Sequence, residues 1–185
     1  MTRPDPCAEH VRVAVVDAER WDDCRDLWLA LRDHSADTEP QLGPRRSDDE
    51  SWAMASGQWG AKLAAPGAFL VVAESRSDVH GVPLGCALVT VADGSPSWPT
   101  PDRLGYVEVL SVAPEARGRG IGTRLMQVVV TELERNGIGE VRLLVTANNI
   151  RAQAFYRAAG FEPFGMVLRR PGVAPRSGPS RTNGW

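Results

Sequence analysis

The segment Arg117–Gly122, which reads RGRGIG, constrains this chain more than any other part of its sequence. It places glycine at every second position, directly before an amphipathic stretch. Glycine costs backbone entropy on folding, so repeated glycine indicates a need for bare backbone or left-handed dihedral angles. The first turn of a following helix supplies unpaired N–H groups and a partial positive charge. The segment therefore predicts an anion-binding site at a helix N-terminus.

Two other phosphate-binding patterns fit this segment poorly. A P-loop needs Lys and then Ser or Thr after its last glycine, whereas Gly122 is followed by Thr123 and Arg124. A dinucleotide fingerprint needs G-x-G-x-x-G directly after a strand and an acidic residue at the end of the next strand. Here the spacing is G-x-G-x-G, residues 113–117 separate it from the preceding strand, and Glu140 begins the next strand. Both patterns are therefore disfavoured.

The composition is that of one globular domain. The chain has 185 residues, of which 43% are hydrophobic and 24% charged, which is enough to form a core without disulfides. A net charge of −2 disfavours a nucleic-acid partner. The sequence has no apolar run of about 20 residues and no secretory signal pattern at its N-terminus. We therefore expect a cytoplasmic protein with no membrane segment.

The cysteines and histidines give no sign of a metal centre, and lysine is rare. Cys7, Cys24 and Cys86 are an odd number without C-x-x-C spacing, as expected of thiols in a reducing compartment. The three histidines, His10, His34 and His80, lie in predicted loops or before the first strand, so no metal site is expected. Among 21 basic residues only Lys62 is a lysine, which we attribute to codon usage in a GC-rich genome.

Hydrophobic periodicity predicts strands that alternate with helices. This pattern is typical of a mixed α/β sheet. Strands are predicted at 11–16, 67–75, 83–93, 104–114, 140–148 and 164–171, and helices after Asp17, after Ser47 to about Leu63, at 121–136 and at 149–161. One domain is expected over residues 1–170, followed by a disordered Pro/Gly/Ser-rich tail at 171–185.

Two motifs, one after the other along the chain, resemble the signatures of a known family. Arg117, Gly120 and Gly122 match the pattern Q/R-x-x-G-x-G/A, by which this segment resembles the acyl-CoA-binding loop of the GNAT superfamily. The stretch at 149–161 is similar to a second signature of that family, N-x-x-A-x-x-F/L/I-Y-x-x-x-G-F. The matching residues are Asn149, Ala152, Phe155, Tyr156, Gly160 and Phe161. The resemblance covers roughly residues 11–170 and implies a central, mostly antiparallel sheet with flanking helices.

The resemblance implies acetyl transfer from acetyl-CoA to an amine, by direct attack in a ternary complex. Backbone N–H groups of the central strand would hold the pantetheine arm and the thioester, and the glycine loop would hold the pyrophosphate. The implied cofactor-binding residues are Leu110, Ser111, Val112, Arg117, Gly118, Arg119, Gly120, Ile121, Gly122, Thr123, Asn149, Ala152 and Phe155. Tyr156 would act as the acid toward the departing sulfur, and Glu108 as the base.

Several of these residues have a structural alternative. Glu108 could be a base or a carboxylate paired with a nearby Arg; strand alternation puts it on the face of Leu110 and opposite Ser111. The ring of Tyr156 could simply pack in the core, and Asn149 is expected to cap a helix. Arg124 is equally consistent with a phosphate contact and with a solvated side chain.

The acceptor is less defined than the cofactor. We expect it to be bound by the loop at 33–51, by Trp52 and its helix, and by the loop at 92–103, where Trp98 could line the pocket. Acidic residues there would suit a cationic amine: Asp33, Asp37, Glu39, Asp48, Asp49 and Glu50. The acceptor is either a small amine or antibiotic, or a protein amine. A non-catalytic acyl-CoA sensor is the alternative function, and a homodimer is an assembly common in the family.

Overall fold

The computed structural model describes residues 11–76, 81–95, 97 and 101–168. Within these ranges, nine regular elements follow one another along the chain, joined in part by short 3-10 helices at Ala18–Cys24, Pro40–Leu42 and Pro114–Ala116. The elements are β1 (Val11–Val16), α1 (Arg25–Thr38), α2 (Asp48–Leu63), β2 (Phe69–Ser75), β3 (Gly85–Asp93), β4 (Arg103–Val112), α3 (Ile121–Arg135), β5 (Val141–Leu143) and α4 (Ile150–Ala158).

The five strands form one sheet in the order of the sequence, β1-β2-β3-β4-β5. Neighbouring strands are antiparallel from β1 to β4, whereas β4 and β5 are parallel. A parallel pair needs a crossover, and α3 supplies it between β4 and β5. The mixed, mostly antiparallel sheet with flanking helices confirms the predicted fold class.

Strand β4 contains a bulge at its centre. Val89 pairs with Val107, and the next residue back on β3, Leu88, pairs with Val109. Glu108 is therefore the extra residue of β4, and no residue of β3 is paired with it in the strand register. A bulge of this kind re-aims side chains and is common beside active sites.

The bulge changes which side chains share a face of the sheet. A Cβ placed on Gly105 would lie 2.6 Å from Leu133 of α3, and Val112 also faces α3. Their spacing is odd, so strict alternation is interrupted between them. Glu108 and Ser111 instead both face the layer of α1 and α2. The predicted alternation, which set Glu108 opposite Ser111, is therefore wrong beyond the bulge.

Helices cover both faces of the buried strands β2 and β3. α3 presents an apolar stripe to one face, with Ile121, Leu125, Met126, Val129 and Leu133 buried. On the opposite face, the Ser111 hydroxyl donates a hydrogen bond of 2.7 Å to the Leu27 carbonyl of α1. These contacts fix the end of β4 between α1 and α3, where the glycine segment begins.

Local sequence signals set several helix ends. Ser47 forms a capping box with Glu50, whose amide donates to the Ser47 hydroxyl while its carboxylate accepts from the Ser47 amide. Asp17 makes no side-chain cap hydrogen bond, and a 3-10 helix precedes α1. His34 lies inside α1 and not in a loop, because that helix runs on to Thr38.

The C-terminal part of the predicted sheet differs from the structure. The strand expected at 140–148 pairs only over β5, three residues long. Residues 164–168 of the expected last strand are not in a strand, and they expose Phe164 and Leu168. The tail at 171–185 lies outside the described residues. Apolar sequence alone did not distinguish a paired strand from an exposed extended segment.

Candidate functional site

The glycine segment turns through left-handed backbone before α3. Gly118 has φ of 77° and Gly120 has φ of 73°, a region that disfavours any side chain. A Cβ on either residue would meet nothing within 4 Å, so the dihedral angle and not crowding requires glycine. The space beside both residues is open to a ligand.

The first turn of α3 leaves hydrogen-bond donors free. The first backbone bond into the helix runs from the Arg124 amide to the Gly120 carbonyl, 3.1 Å. Among the described residues, the amides of Ile121, Gly122 and Thr123 have no backbone acceptor. These groups and the positive end of the helix dipole lie where the anion site is predicted.

The arginines around this turn have different roles. Arg117 Nε donates to the Val112 carbonyl at 3.1 Å, which ties the loop to the end of β4. Arg119 Nε is buried without a partner among the described residues, so it remains a donor for an anion. Arg124 instead donates to the Val11 carbonyl of β1 at 2.8 Å. The sequence had suggested either a phosphate contact or a solvated side chain for Arg124, and this contact with the β1 backbone was not predicted.

The two sequence motifs contact each other at Gly122. A Cβ on this residue would lie 3.4 Å from the ring of Phe155, so glycine lets α4 approach the start of α3. The Asn149 side chain accepts from the Ala152 amide at 3.1 Å, which confirms the predicted helix cap. The Gly122–Phe155 contact places the middle of α4 beside the predicted anion site.

One edge of β4 is open next to this site. β4 pairs with β3 as far as Val112, but with β5 only from Gly105 to Val107. Among the described residues, the part of β4 that includes Leu110 and Ser111 therefore has no neighbouring strand on the β5 side. The strand backbone predicted to hold a pantetheine arm therefore lies along an edge that is open on this side.

Tyr156 lies on α4 in an aromatic cluster. Its ring makes edge contacts with Phe155 and Phe161, with centroids 5.2 and 5.7 Å away. Burial raises the pKa of Tyr156 to about 12, because desolvation disfavours the phenolate. The hydroxyl therefore stays protonated throughout the neutral pH range.

Glu108 is paired with a lysine and not with an arginine. Its Oε1 accepts a hydrogen bond of 2.7 Å from Lys62 Nζ and one of 2.9 Å from the Thr90 hydroxyl. Lys62 Nζ also lies 4.6 Å from the centroid of the Trp59 ring. Lys62 was not predicted as a site residue. The sequence shows that it is the only lysine of the chain, but that rarity was attributed to codon usage.

A cleft of about 330 Å³ lies between α1, residues 42–46 and α2. Aromatic and basic side chains line it, among them Trp28, Trp59, Arg32, Arg45 and Arg46. This is the region predicted to bind the acceptor. Trp98, also predicted there, lies outside the described residues.

Most of the acidic residues near this cleft already have partners. Arg32 and Arg45 pair with Asp33, and Arg32 also pairs with Asp48. These arginines hold the pKa of Asp33 below its usual range, Arg32 contributing most. The remaining pairs are Asp49 with Arg25, Glu50 with Ser47, and Glu39 with Asn148. Five of the six acidic residues predicted to suit a cationic acceptor therefore already contact another side chain, and their contact with an acceptor stays a prediction.

Within the described ranges, the side chains form no group of three or more His, Cys, Asp or Glu that could hold a metal ion. Cys24 and Cys86 are buried free thiols, and Cys7 lies outside those ranges. In the part of the chain described, no helix combines the length and apolar character needed to cross a membrane.

Comparison with known proteins gives consistent results. The sequence model of the Acetyltransferase (GNAT) family matches residues 28–161. A mycothiol acetyltransferase from Acidothermus cellulolyticus is 31% identical over 163 residues, which are 84% of this chain and 47% of that protein. The chain thus spans about half the length of this relative.

Solved structures share the fold at low sequence identity. A GCN5-related N-acetyltransferase from Ralstonia eutropha superposes with a TM-score of 0.64 at 23% identity, covering 86% of this chain and 97% of that one. The aminoglycoside N-acetyltransferase AAC(6')-Iy, in complex with CoA, superposes with a TM-score of 0.62 at 21% identity, covering 89% and 96%.

Proposed function

Because the chain belongs to the acetyltransferase (GNAT) family, we propose that it transfers an acetyl group from acetyl-CoA to a primary amine. The observation that carries this proposal is the meeting of the two motifs at Gly122 and Phe155, beside the open edge of β4. It brings an anion site, free strand backbone and a tyrosine hydroxyl into one region. The name of the Acidothermus relative and the CoA bound to the aminoglycoside enzyme agree with this chemistry.

Each part of the site fits one part of acetyl-CoA. The amides of Ile121, Gly122 and Thr123, with Arg119, would bind the pyrophosphate. The free edge of β4 at Leu110 to Val112 would bind the pantetheine arm and orient the thioester carbonyl. When bound, acetyl-CoA supplies an activated acyl carbon and a thiolate leaving group.

Glu108 is the carboxylate best placed to receive the proton of the attacking amine. It already holds one ammonium group, that of Lys62, at 2.7 Å. Since an alkylammonium must lose a proton before it can attack a carbonyl, a carboxylate beside the β4 edge can accept that proton directly or through water. We therefore assign the role of base to Glu108 and infer that the acceptor is a primary amine.

Tyr156 acts by donating a hydrogen bond to the departing sulfur. With a pKa of about 12, full proton transfer to a thiolate whose acid has a pKa of about 8.5 is uphill by about 5 kcal/mol. Donation of a hydrogen bond needs no such transfer and still lowers the energy of the developing negative charge. The hydroxyl would stabilise the thiolate as the carbon–sulfur bond breaks.

The proposal also includes the cellular compartment of the protein and the site that binds the acceptor. We infer that the chain works in a reducing compartment, the cytoplasm, since its described cysteines are free thiols. The cleft next to Trp28 and Trp59 is the proposed acceptor site, with aromatic walls and basic side chains around it. Its acceptor combines a primary amine with a surface that packs on indole rings.

The test is coenzyme A release from acetyl-CoA against a panel of amines, followed by chromatography. The panel contains aminoglycosides, small alkylamines, aminothiol conjugates and lysine-containing peptides. We expect release above the hydrolysis background with at least one class and an acetylated product of matching mass. Binding of acetyl-CoA without release for any amine would instead support the sensor alternative.

A further inference from the structure

The single lysine of this chain contacts Glu108, the base of the proposed site. Lys62 lies in the last turn of α2, and its Nζ donates a hydrogen bond of 2.7 Å to Glu108 Oε1. The Trp59 ring lies 4.6 Å from the same nitrogen, which holds the alkylammonium in place. The Lys62 side chain keeps 39% of its surface exposed, so the amine is reachable.

This arrangement is the one that an acceptor amine needs. The nucleophile must lie next to a proton acceptor and close to the thioester. Glu108 provides the proton acceptor. Leu110, on the open edge of β4, lies about 7 Å farther along the strand at a rise of about 3.3 Å per residue. Lys62 therefore presents a primary amine next to the proton acceptor, on the strand whose open edge is proposed to bind the thioester.

We propose that Lys62 is itself acetylated by the chain, with an acyl-CoA thioester as donor; this inference rests on the proposed function. The Lys62 ammonium gives one proton to the Glu108 carboxylate, and its nitrogen then forms a bond to the thioester carbonyl carbon. The carbon–sulfur bond breaks, and sulfur leaves as the thiolate. The second nitrogen proton passes to the thiolate through solvent, and Glu108 releases its proton to solvent. The products are free coenzyme A, N-acetyl-lysine and an ionised Glu108.

Acetylation of Lys62 removes the cationic partner of Glu108. The amide that forms carries no charge, so the ion pair is lost. Glu108 Oε1 then keeps the hydrogen bond from the Thr90 hydroxyl but has lost the charge that Lys62 brought to it. The carboxylate becomes free to hold an incoming ammonium group, so self-acetylation prepares the site for its acceptor.

The test is peptide mass spectrometry on the purified full chain after incubation with acetyl-CoA. Digestion with a protease that does not cut at lysine separates the Lys62 peptide from the N-terminal amine. We expect close to one acetyl group per chain on Lys62, at a rate that saturates with acetyl-CoA. Lys62→Arg should carry no acetyl group in that peptide.

Glu108→Gln and the chain unfolded in urea separate catalysis from chemical acetylation. Glu108→Gln frees the amine from its ion pair, so purely chemical acetylation would become faster. Loss of the base predicts instead a rate lower by roughly tenfold or more. The unfolded chain should show only the slow rate that rises linearly with acetyl-CoA concentration.

Two results would overturn this inference. One is an unmodified Lys62 in a chain that binds acetyl-CoA and acetylates an added amine, in which case the proposed function survives. The other is Lys62 acetylation at equal rates in the native chain, Glu108→Gln and the unfolded chain. Failure of the chain to bind acetyl-CoA at all would remove the proposed function together with this inference.

Discussion

The two halves of the proposed site, one for the cofactor and one for the acceptor, are built in different ways. The cofactor half, residues 110–123 and 149–156, depends on backbone: left-handed glycines, free amides at a helix start and an open strand edge. The acceptor half, α1 with residues 42–46 and α2, depends on pairs of charged side chains. Arg32–Asp48, Arg25–Asp49 and Lys62–Glu108 join residues far apart in sequence. Short motifs encode backbone shape locally, whereas the acceptor half exists only after the chain has folded.

Removal of the Tyr156 hydroxyl is the change with the largest expected effect. Tyr156→Phe keeps the ring contacts with Phe155 and Phe161 but cannot donate to the sulfur. We expect kcat to fall by about 100-fold, with the KM for acetyl-CoA nearly unchanged. Steady-state kinetics with the preferred amine measures both values.

Tyr106→Phe is the matched control, since the chain has only two tyrosines. It should retain kcat. Equal kcat values for the Tyr156→Phe variant and the native chain would remove Tyr156 from the chemistry and leave it as a packing residue.

Tyrosinate absorbance tests the environment of the same hydroxyl. In a Tyr106→Phe background only Tyr156 titrates, and we expect the folded chain to form phenolate near pH 12, against about pH 10 in urea. Because the folded pKa is the higher one, its contribution to stability is complete below pH 10 and is lost as the pH rises from 10 to 12. A transition near pH 10 in the folded chain would show that Tyr156 is solvated.

A pair of glycine substitutions separates backbone strain from ligand binding. Gly120 and Gly137 have φ of 73° and 72°, and a Cβ on either meets nothing within 4 Å. Alanine at each should therefore destabilise the fold similarly, by about 1 kcal/mol. Only Gly120→Ala should weaken acetyl-CoA binding, by about tenfold, because Gly137 lies at the other end of α3.

Calorimetric titration and urea unfolding of the two variants check this pair. Equal loss of affinity in Gly120→Ala and Gly137→Ala would mean that the glycine loop acts through stability alone.

The same contrast explains what could be predicted from the sequence. The left-handed glycines before α3, the helix that begins after Ser47 and the Asn149 cap follow from short motifs and were predicted. The bulge at Glu108 was not predicted, because the run YVEVLSV alternates regularly. The extra residue becomes evident only from the pairing of β4 with β3. The Lys62–Glu108 pair was missed because it joins α2 to β4 through the tertiary fold. Residues 164–168 were misassigned because their apolar pattern does not reveal whether a neighbouring strand is available.

The smallest expected effect concerns the cap of α2, the helix that carries Lys62. Ser47→Ala removes the capping oxygen, and we expect it to lower the free energy of unfolding by about 1 kcal/mol, measured in urea. Ser47→Asp keeps an acceptor oxygen and should restore most of the loss. Acetyl-CoA affinity should not change in either variant, and a parallel loss of affinity would show that the two halves are coupled.

Whether RGRGIG binds the cofactor is decided by calorimetric titration of the native chain with acetyl-CoA. We expect one site per chain, with a dissociation constant in the range of about 1 µM to 1 mM that is common for enzyme substrates. We also expect weaker binding of a dephosphorylated pantetheine thioester, since the glycine loop and the start of α3 would then have no anion to hold. No heat with acetyl-CoA, or equal affinity for the two thioesters, would contradict the assignment of RGRGIG as the cofactor site.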